Sequence, residues 1–148
     1  MPVRVFDAHP LVSVLLDRPG AKKIAAVLDA DLSECRVSSV TYSRVIERVA
    51  RQSSSPAHDV AGVIEWWLAG GLSVESVDTE LASAAAVIRA EHYDRDHNAI
   101  SLVDCHAMAL AAAHNAELAA SDAAVLRVAR AIGLTVLALP GHTGKLAK

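Results

Sequence analysis

Three aspartates stand where an α/β chain can carry chemistry. Asp7 directly follows a short β-type run, Val3-Arg4-Val5-Phe6, and Asp122 follows the segment Glu117–Ala120 within two positions. Asp104 falls in the first turn of an alanine-rich segment that begins at Ser101. Open parallel sheets hold ligands beyond the carboxyl ends of their strands, so the three carboxylates converge if those strands are neighbours. Oxygen donors without His or Cys partners suit Mg²⁺ or Mn²⁺, which keep several waters and accept substrate phosphate oxygens as further ligands. An ion held this way activates a water and offsets charge on a phosphodiester in its transition state. Each residue also has a plain structural reading. Asp7 and Asp122 suit the N-caps of the helices after them, and Ser101-x-x-Asp104 suits a capping box with Asp in place of Glu.

The elements that must position these groups follow from periodicity and breakers. Strands are expected at residues 3–6, 36–38, 72–77, 117–120 and 135–139, with helices at 11–16, 21–30, 42–52, 57–68, 79–90, 101–113 and 123–132. Pro19-Gly20, the run Ser53 to Pro56, Gly70-Gly71 and Gly133 punctuate them. Strands separated by helices of this length imply right-handed crossovers. The fold class is therefore α/β, three layers, with a mostly parallel central sheet of four to five strands.

Composition sets the frame. The 148 residues are expected to form one domain, and with 53% hydrophobic and 21% charged residues the chain can bury a sizeable core. Aromatics are only 3%, so Ala, Val, Leu and Ile must fill it. The net charge of −3 gives no global pull on nucleic acid, so any RNA contact needs a local patch or a metal. Cys35 and Cys105 lack metal-ligand spacing and read as reduced thiols. The start of the chain does not fit a signal peptide, and no apolar stretch spans a bilayer. The expectation is a soluble, cytoplasmic protein without a membrane partner.

Beyond these readings, the order of motifs resembles a known family. Val5-Phe6-Asp7-Ala8, Leu15-Leu16 with Pro19-Gly20-Ala21, Ile100-Ser101-Leu102-Val103-Asp104-Cys105, Ala120-Ser121-Asp122 and Ala138-Leu139-Pro140-Gly141 are similar to the PIN-domain toxins of VapBC systems, the VapC type. The resemblance runs from about Val3 to Gly144. It implies a parallel α/β/α sandwich whose carboxylate cluster binds Mg²⁺ or Mn²⁺. It further implies endoribonuclease activity on structured RNA such as tRNA or rRNA, a homodimer, and inhibition by a small cognate antitoxin.

Two positions depart from that pattern. Where the family carries an acid on the helix after the second strand, this chain has Arg44; Glu47 lies one turn on along the same face. Glu47 either supplements the site or pairs with Arg51 in the favourable i,i+4 order. Ala120 occupies a position where the family often places Thr or Ser. Arg44, Arg48 and Arg51 form a basic stripe that either holds RNA phosphates or is a solvated helix face. The segment His92 to His97 reads as an exposed loop, with Asp96 either a supplement to the carboxylate cluster or a solvated charge, and the Val60/Val63/Trp67 stripe as core or dimer contact. His106 lies off the face of Asp104 and takes no role. The alternative function is a degenerate PIN module that binds RNA or antitoxin and cuts little, argued from Arg44 and Ala120. A receiver-like or phosphohydrolase reading is disfavoured, because no phosphate-cradling loop or suitable lysine accompanies the aspartates.

Overall fold

The computed structural model describes residues 2–147. Its strands are β1 (Arg4–Phe6), β2 (Cys35–Ser38), β3 (Ser73–Glu75), β4 (Glu117–Ala120) and β5 (Val136–Ala138). Between β1 and β2 run α1 (Ala8–Leu15) and α2 (Ala21–Ala30); between β2 and β3, α3 (Ser39–Ser53) and α4 (Ala57–Ala69). Then α5 (Thr79–His92) and α6 (Leu102–Ala113) lead to β4, and α7 (Ala123–Ala131) to β5. The strands form one five-stranded sheet in the order β3-β2-β1-β4-β5. Every pairing is parallel. Chain direction across the sheet reverses between β1 and β4, which is where an open α/β sheet leaves a crevice.

Alternation along the strands sorts the core into two layers. Val5, Leu118 and Ala120 join the apolar cluster of α5, α6 and α7, whereas Phe6, Val37 and Ala119 join that of α1 to α4. Helix α6 is buried continuously from Cys105 to Ala111, with alanines at every second position, so α5 and the sheet approach it closely. His106 fits there because its Nδ1 lies 2.7 Å from the carbonyl oxygen of Leu102. Arg4 stands opposite Glu117 in the β1–β4 register, and their side chains pair at 2.8 Å, which fixes the alignment of the two strands that carry Asp7 and Asp122.

Two helices begin three residues earlier than periodicity suggests. Helix α1 starts at Ala8 and takes Pro10 into its first turn, where a missing N–H costs nothing because no intrahelical acceptor exists for it. Helix α3 starts at Ser39 because the Ser38 hydroxyl accepts the N–H of Thr41 at 2.9 Å. Helix α5 continues to His92, its end tied down by Arg89, which stacks on Tyr93 and donates to the carbonyl of Ile100. On α4, Val60 and Ile64 face the core, but Val63 is half exposed and Trp66 is 80% exposed.

The Pro19-Gly20 break does more than end a helix. Gly20 adopts φ +90° and its missing side chain makes room for Pro140: a Cβ there would lie 2.6 Å from the Pro140 Cβ. The turn from Gly141 to Lys145 closes on itself through Gly141 N–H to Lys145 O and Gly144 N–H to Gly141 O, both 2.8 Å. Gly20→Ala is expected to cost roughly 1–3 kcal/mol, combining left-handed strain with the clash. Chemical denaturation reads that loss; an unchanged midpoint would show that the two turns do not pack against each other.

Candidate active site

Helices that follow strands in a parallel sheet start at its carboxyl edge, and that edge collects the aspartates. Asp7 leaves β1 and caps α1, its Oδ1 accepting the Ala8 N–H at 2.9 Å. Asp122 leaves β4 and caps α7, its Oδ1 accepting from Ala124 at 2.9 Å and Val125 at 3.1 Å. Asp104 and Ser101 form the reciprocal capping box: Ser101 N–H donates to Asp104 Oδ2 at 2.7 Å, and Asp104 N–H to Ser101 Oγ at 3.0 Å. The cap readings and the site readings are thus compatible. In each case backbone donors hold one oxygen and so fix the carboxylate in place.

Asp7 is the centre of the arrangement. It is 1% exposed, and burial, followed by the charge of Asp104, holds its carboxyl well above the usual carboxylate range. Asp104 lies within hydrogen-bonding reach of it, and the charge of Asp122 adds a smaller repulsion. A buried carboxylate facing two more disfavours its own ionisation until a cation arrives. Among the described residues, no three His, Cys, Asp or Glu side chains stand in a complete metal-holding group. Mg²⁺ does not require one, since one or two carboxylates with waters and substrate phosphate are its usual protein donors. The donor set is also free of soft ligands: burial and the neighbouring Asp104 push the Cys105 thiol up to about 12, so it stays protonated. Burial raises Cys35 to about 11. The residues present fit a hard divalent ion.

The other sequence candidates fall outside this centre. Glu47 and Arg51 form an ion pair at 3.4 Å, with side chains 55% and 66% exposed. Arg44 forms no ion pair with Asp7 or Asp104 among the described residues; it lines a surface groove with Val40, Ser43, Glu47, Arg51 and Val103. Arg48 is half-buried, with its Nε shielded from solvent. Asp96 is exposed beside Arg95, in a loop closed by the Asp94–Asn98 bridge, where the N–H groups of Asp96 and His97 pull the Asp94 carboxyl below its ordinary value. Ala120 is fully buried, and the following Ser121 has a buried hydroxyl without a protein partner. Periodicity gave no signal for His9 and His142, whose rings meet edge-on with centroids 6.3 Å apart beside this edge.

The exposed Glu47–Arg51 pair carries a prediction. Glu47→Gln is expected to leave any metal-dependent activity within about twofold of wild type and to cost roughly 0–1 kcal/mol of stability. Loss of activity at low metal, restored at high metal, would instead make Glu47 a ligand.

Comparison with known proteins bears on the fold and the family. Solved structures share the fold: FitAcB from Neisseria gonorrhoeae, at 21% identity and TM-score 0.64, covers 91% of this chain and 96% of its own. VapBC2 from Rickettsia felis bound to a promoter DNA fragment has 14% identity and TM-score 0.68, over 91% and 97% of the two chains. DNA-bound VapBC from Salmonella typhimurium has 20% identity and TM-score 0.70, over 93% and 98%. None of the curated proteins compared by sequence matches significantly. The PIN domain family model matches residues 4–131, most of the chain and all three aspartates. The chain belongs to the PIN domain family.

Proposed function

We propose that this PIN domain is a divalent-metal-dependent endoribonuclease of the VapC toxin type. Its substrate is structured RNA such as tRNA or rRNA, its working form a homodimer in the cytoplasm, and its inhibitor a small cognate antitoxin. The observation that carries the reading is buried Asp7, set against Asp104 and within the field of Asp122. Membership of a nuclease family and the toxin–antitoxin complexes among its structural neighbours support it. No helix among the described residues is long and apolar enough to cross a membrane.

In this reading Asp7 and Asp104 hold Mg²⁺ or Mn²⁺, and Asp122 contributes charge or a water-mediated contact from the adjoining strand end. When bound, the ion supplies positive charge to the phosphodiester transition state and acidifies the attacking water. The protein's part is orientation. The N–H groups of Ala8, Ser101, Ala124 and Val125 fix the carboxylates before substrate arrives. The absence of an Arg44–aspartate pair among the described residues favours this over a degenerate module with an internal counter-ion. A cleavage assay on total tRNA and rRNA with Mg²⁺ or Mn²⁺ tests it. Metal-dependent fragments from wild type and none from Asp7→Asn support it; equal cutting by both contradicts it.

A further inference from the structure

Helices α3 and α6 pack against each other, and an open groove of about 480 Å³ lies along their seam. Its walls are Val40, Ser43, Arg44, Glu47 and Arg51 of α3 and Val103 of α6. Val40, Arg44, Glu47 and Arg51 recur at three- and four-residue spacing, so one stripe of α3 faces it. Two helix starts fix its place. Val40 lies in the first turn of α3, directly after β2, and Val103 in the first turn of α6, one residue before Asp104. The groove therefore opens at the carboxyl edge, beside the Asp104 and Asp7 carboxylates, and leads away from them down α3. At a rise of ~1.5 Å per residue, Arg44 lies about 6 Å along the helix axis from Val40 and Arg51 roughly 16 Å.

The charges in this groove do not cancel. Glu47 is taken up by Arg51 at 3.4 Å. Arg44 is half-buried at the seam and has no anionic partner among the described residues. A guanidinium stays protonated at any accessible pH and has donors only, so the groove carries a fixed positive charge that the fold leaves unanswered. The chain as a whole has a net charge of −3, which makes a lone cation beside a carboxylate cluster a local device rather than part of a general basic surface. Ser43 adds an exposed hydroxyl on the same wall, and Val40 and Val103 an apolar ledge at the open end.

We infer that this groove is the path of the RNA strand on one side of the cut, with Arg44 gripping the phosphate next to the scissile one and Arg51 a weaker contact further along. The path rests on the nuclease reading for its purpose, but binding along it requires no metal. An incoming phosphodiester brings negative charge toward three carboxylates. A metal offsets that charge at the scissile group alone, so the flanking backbone needs a cationic donor of its own. The guanidinium fork matches two phosphate oxygens at once. Glu47 holds Arg51 back and so leaves Arg44 as the stronger contact.

The test is fluorescence anisotropy with a labelled single-stranded RNA of mixed sequence, in EDTA, using the full chain carrying Asp7→Asn. On that background Arg44→Gln is expected to weaken binding about 10-fold and to lower the slope of log affinity against log salt by about 0.7. Its melting temperature should match the background, because Arg44 has no partner in the fold to lose. Arg44→Lys should keep the slope and lose part of the affinity, since the charge remains and the fork does not. Glu47→Gln should tighten binding about twofold by releasing Arg51. Arg130→Gln, which removes the same charge from the exposed face of α7 outside the groove, should change affinity by less than about twofold.

If wild type shows metal-dependent cleavage but Arg44→Gln binds RNA with the affinity and slope of the background, the path is overturned and the nuclease reading stands. If wild type does not cleave but the Arg44 and Glu47 effects are present, the groove stands as an RNA site and the nuclease reading falls. Equal losses in Arg44→Gln and Arg130→Gln would overturn the path, because net charge alone would then explain binding. So would capture of polyglutamate that depends on Arg44 while RNA binding does not, which would assign the groove to an acidic protein segment.

Discussion

Asp7→Asn is expected to remove RNA cleavage and, at the same time, to make the metal-free protein more stable at neutral pH. The first effect follows from losing the buried carboxylate at the centre of the site. Charge stabilisation by a catalytic metal is worth several kcal/mol, so the loss is on the order of 10³-fold. The second follows from the direction of the Asp7 shift. Burial and Asp104 raise its folded carboxyl well above the ordinary value of 3.8. Below that ordinary value the group is protonated in both folded and unfolded chains, and its burial carries no charge penalty. As pH rises through the raised folded value, the unfolded chain has already released its proton and the native state must hold a buried charge, so stability is lost. Asparagine keeps the oxygen that accepts the Ala8 N–H and has no charge to bury. Denaturant melts across pH in EDTA should therefore show the variant ahead of wild type at pH 7 and the gap closing toward pH 4. A variant less stable than wild type at every pH would mean that Asp7 serves the fold and not a cation.

Mg²⁺ or Mn²⁺ should raise the melting temperature of wild type, because an ion that binds only the folded site stabilises it by mass action. At a hundredfold excess over the dissociation constant the gain is about 2.7 kcal/mol, or roughly 5–10 °C for a chain of this size. Asp104→Asn should abolish most of this rise while leaving the capping box intact, since an amide oxygen still accepts the Ser101 N–H. The same rise in Asp104→Asn as in wild type would confine Asp104 to its cap.

Much of this was legible because the elements carry strong local signals. Asp7 and Asp122 follow recognisable strands, Ser101 and Asp104 announce a helix start, and the consecutive apolar residues Val5-Phe6 and Leu118-Ala119-Ala120 call for a sheet covered on both faces. The starts of α1 and α3 were harder. Their first turns hold Ala8, Pro10 and Ser39 rather than periodic apolar residues, so the boundary is set by the caps Asp7 and Ser38. Glu47 had two readings at the same spacing, and the sequence contains nothing to choose between them; the exposed pair with Arg51 is a fact of rotamer and solvent. The His9–His142 contact was out of reach for a different reason. It joins opposite ends of the chain through the fit of Pro140 into the space left by Gly20, and no local pattern encodes such a tertiary contact. The Leu139-Pro140-Gly141 segment pointed to the family without showing what the turn does.

The most direct test of the account is a crystal grown or soaked with Mn²⁺ and measured at the manganese absorption edge. An anomalous peak is expected between the carboxylates of Asp7 and Asp104, at about 2.0–2.2 Å from an oxygen of each, and it should disappear in Asp7→Asn crystals treated in the same way. A map at saturating Mn²⁺ with its peaks elsewhere and none at these two carboxylates would contradict the central claim.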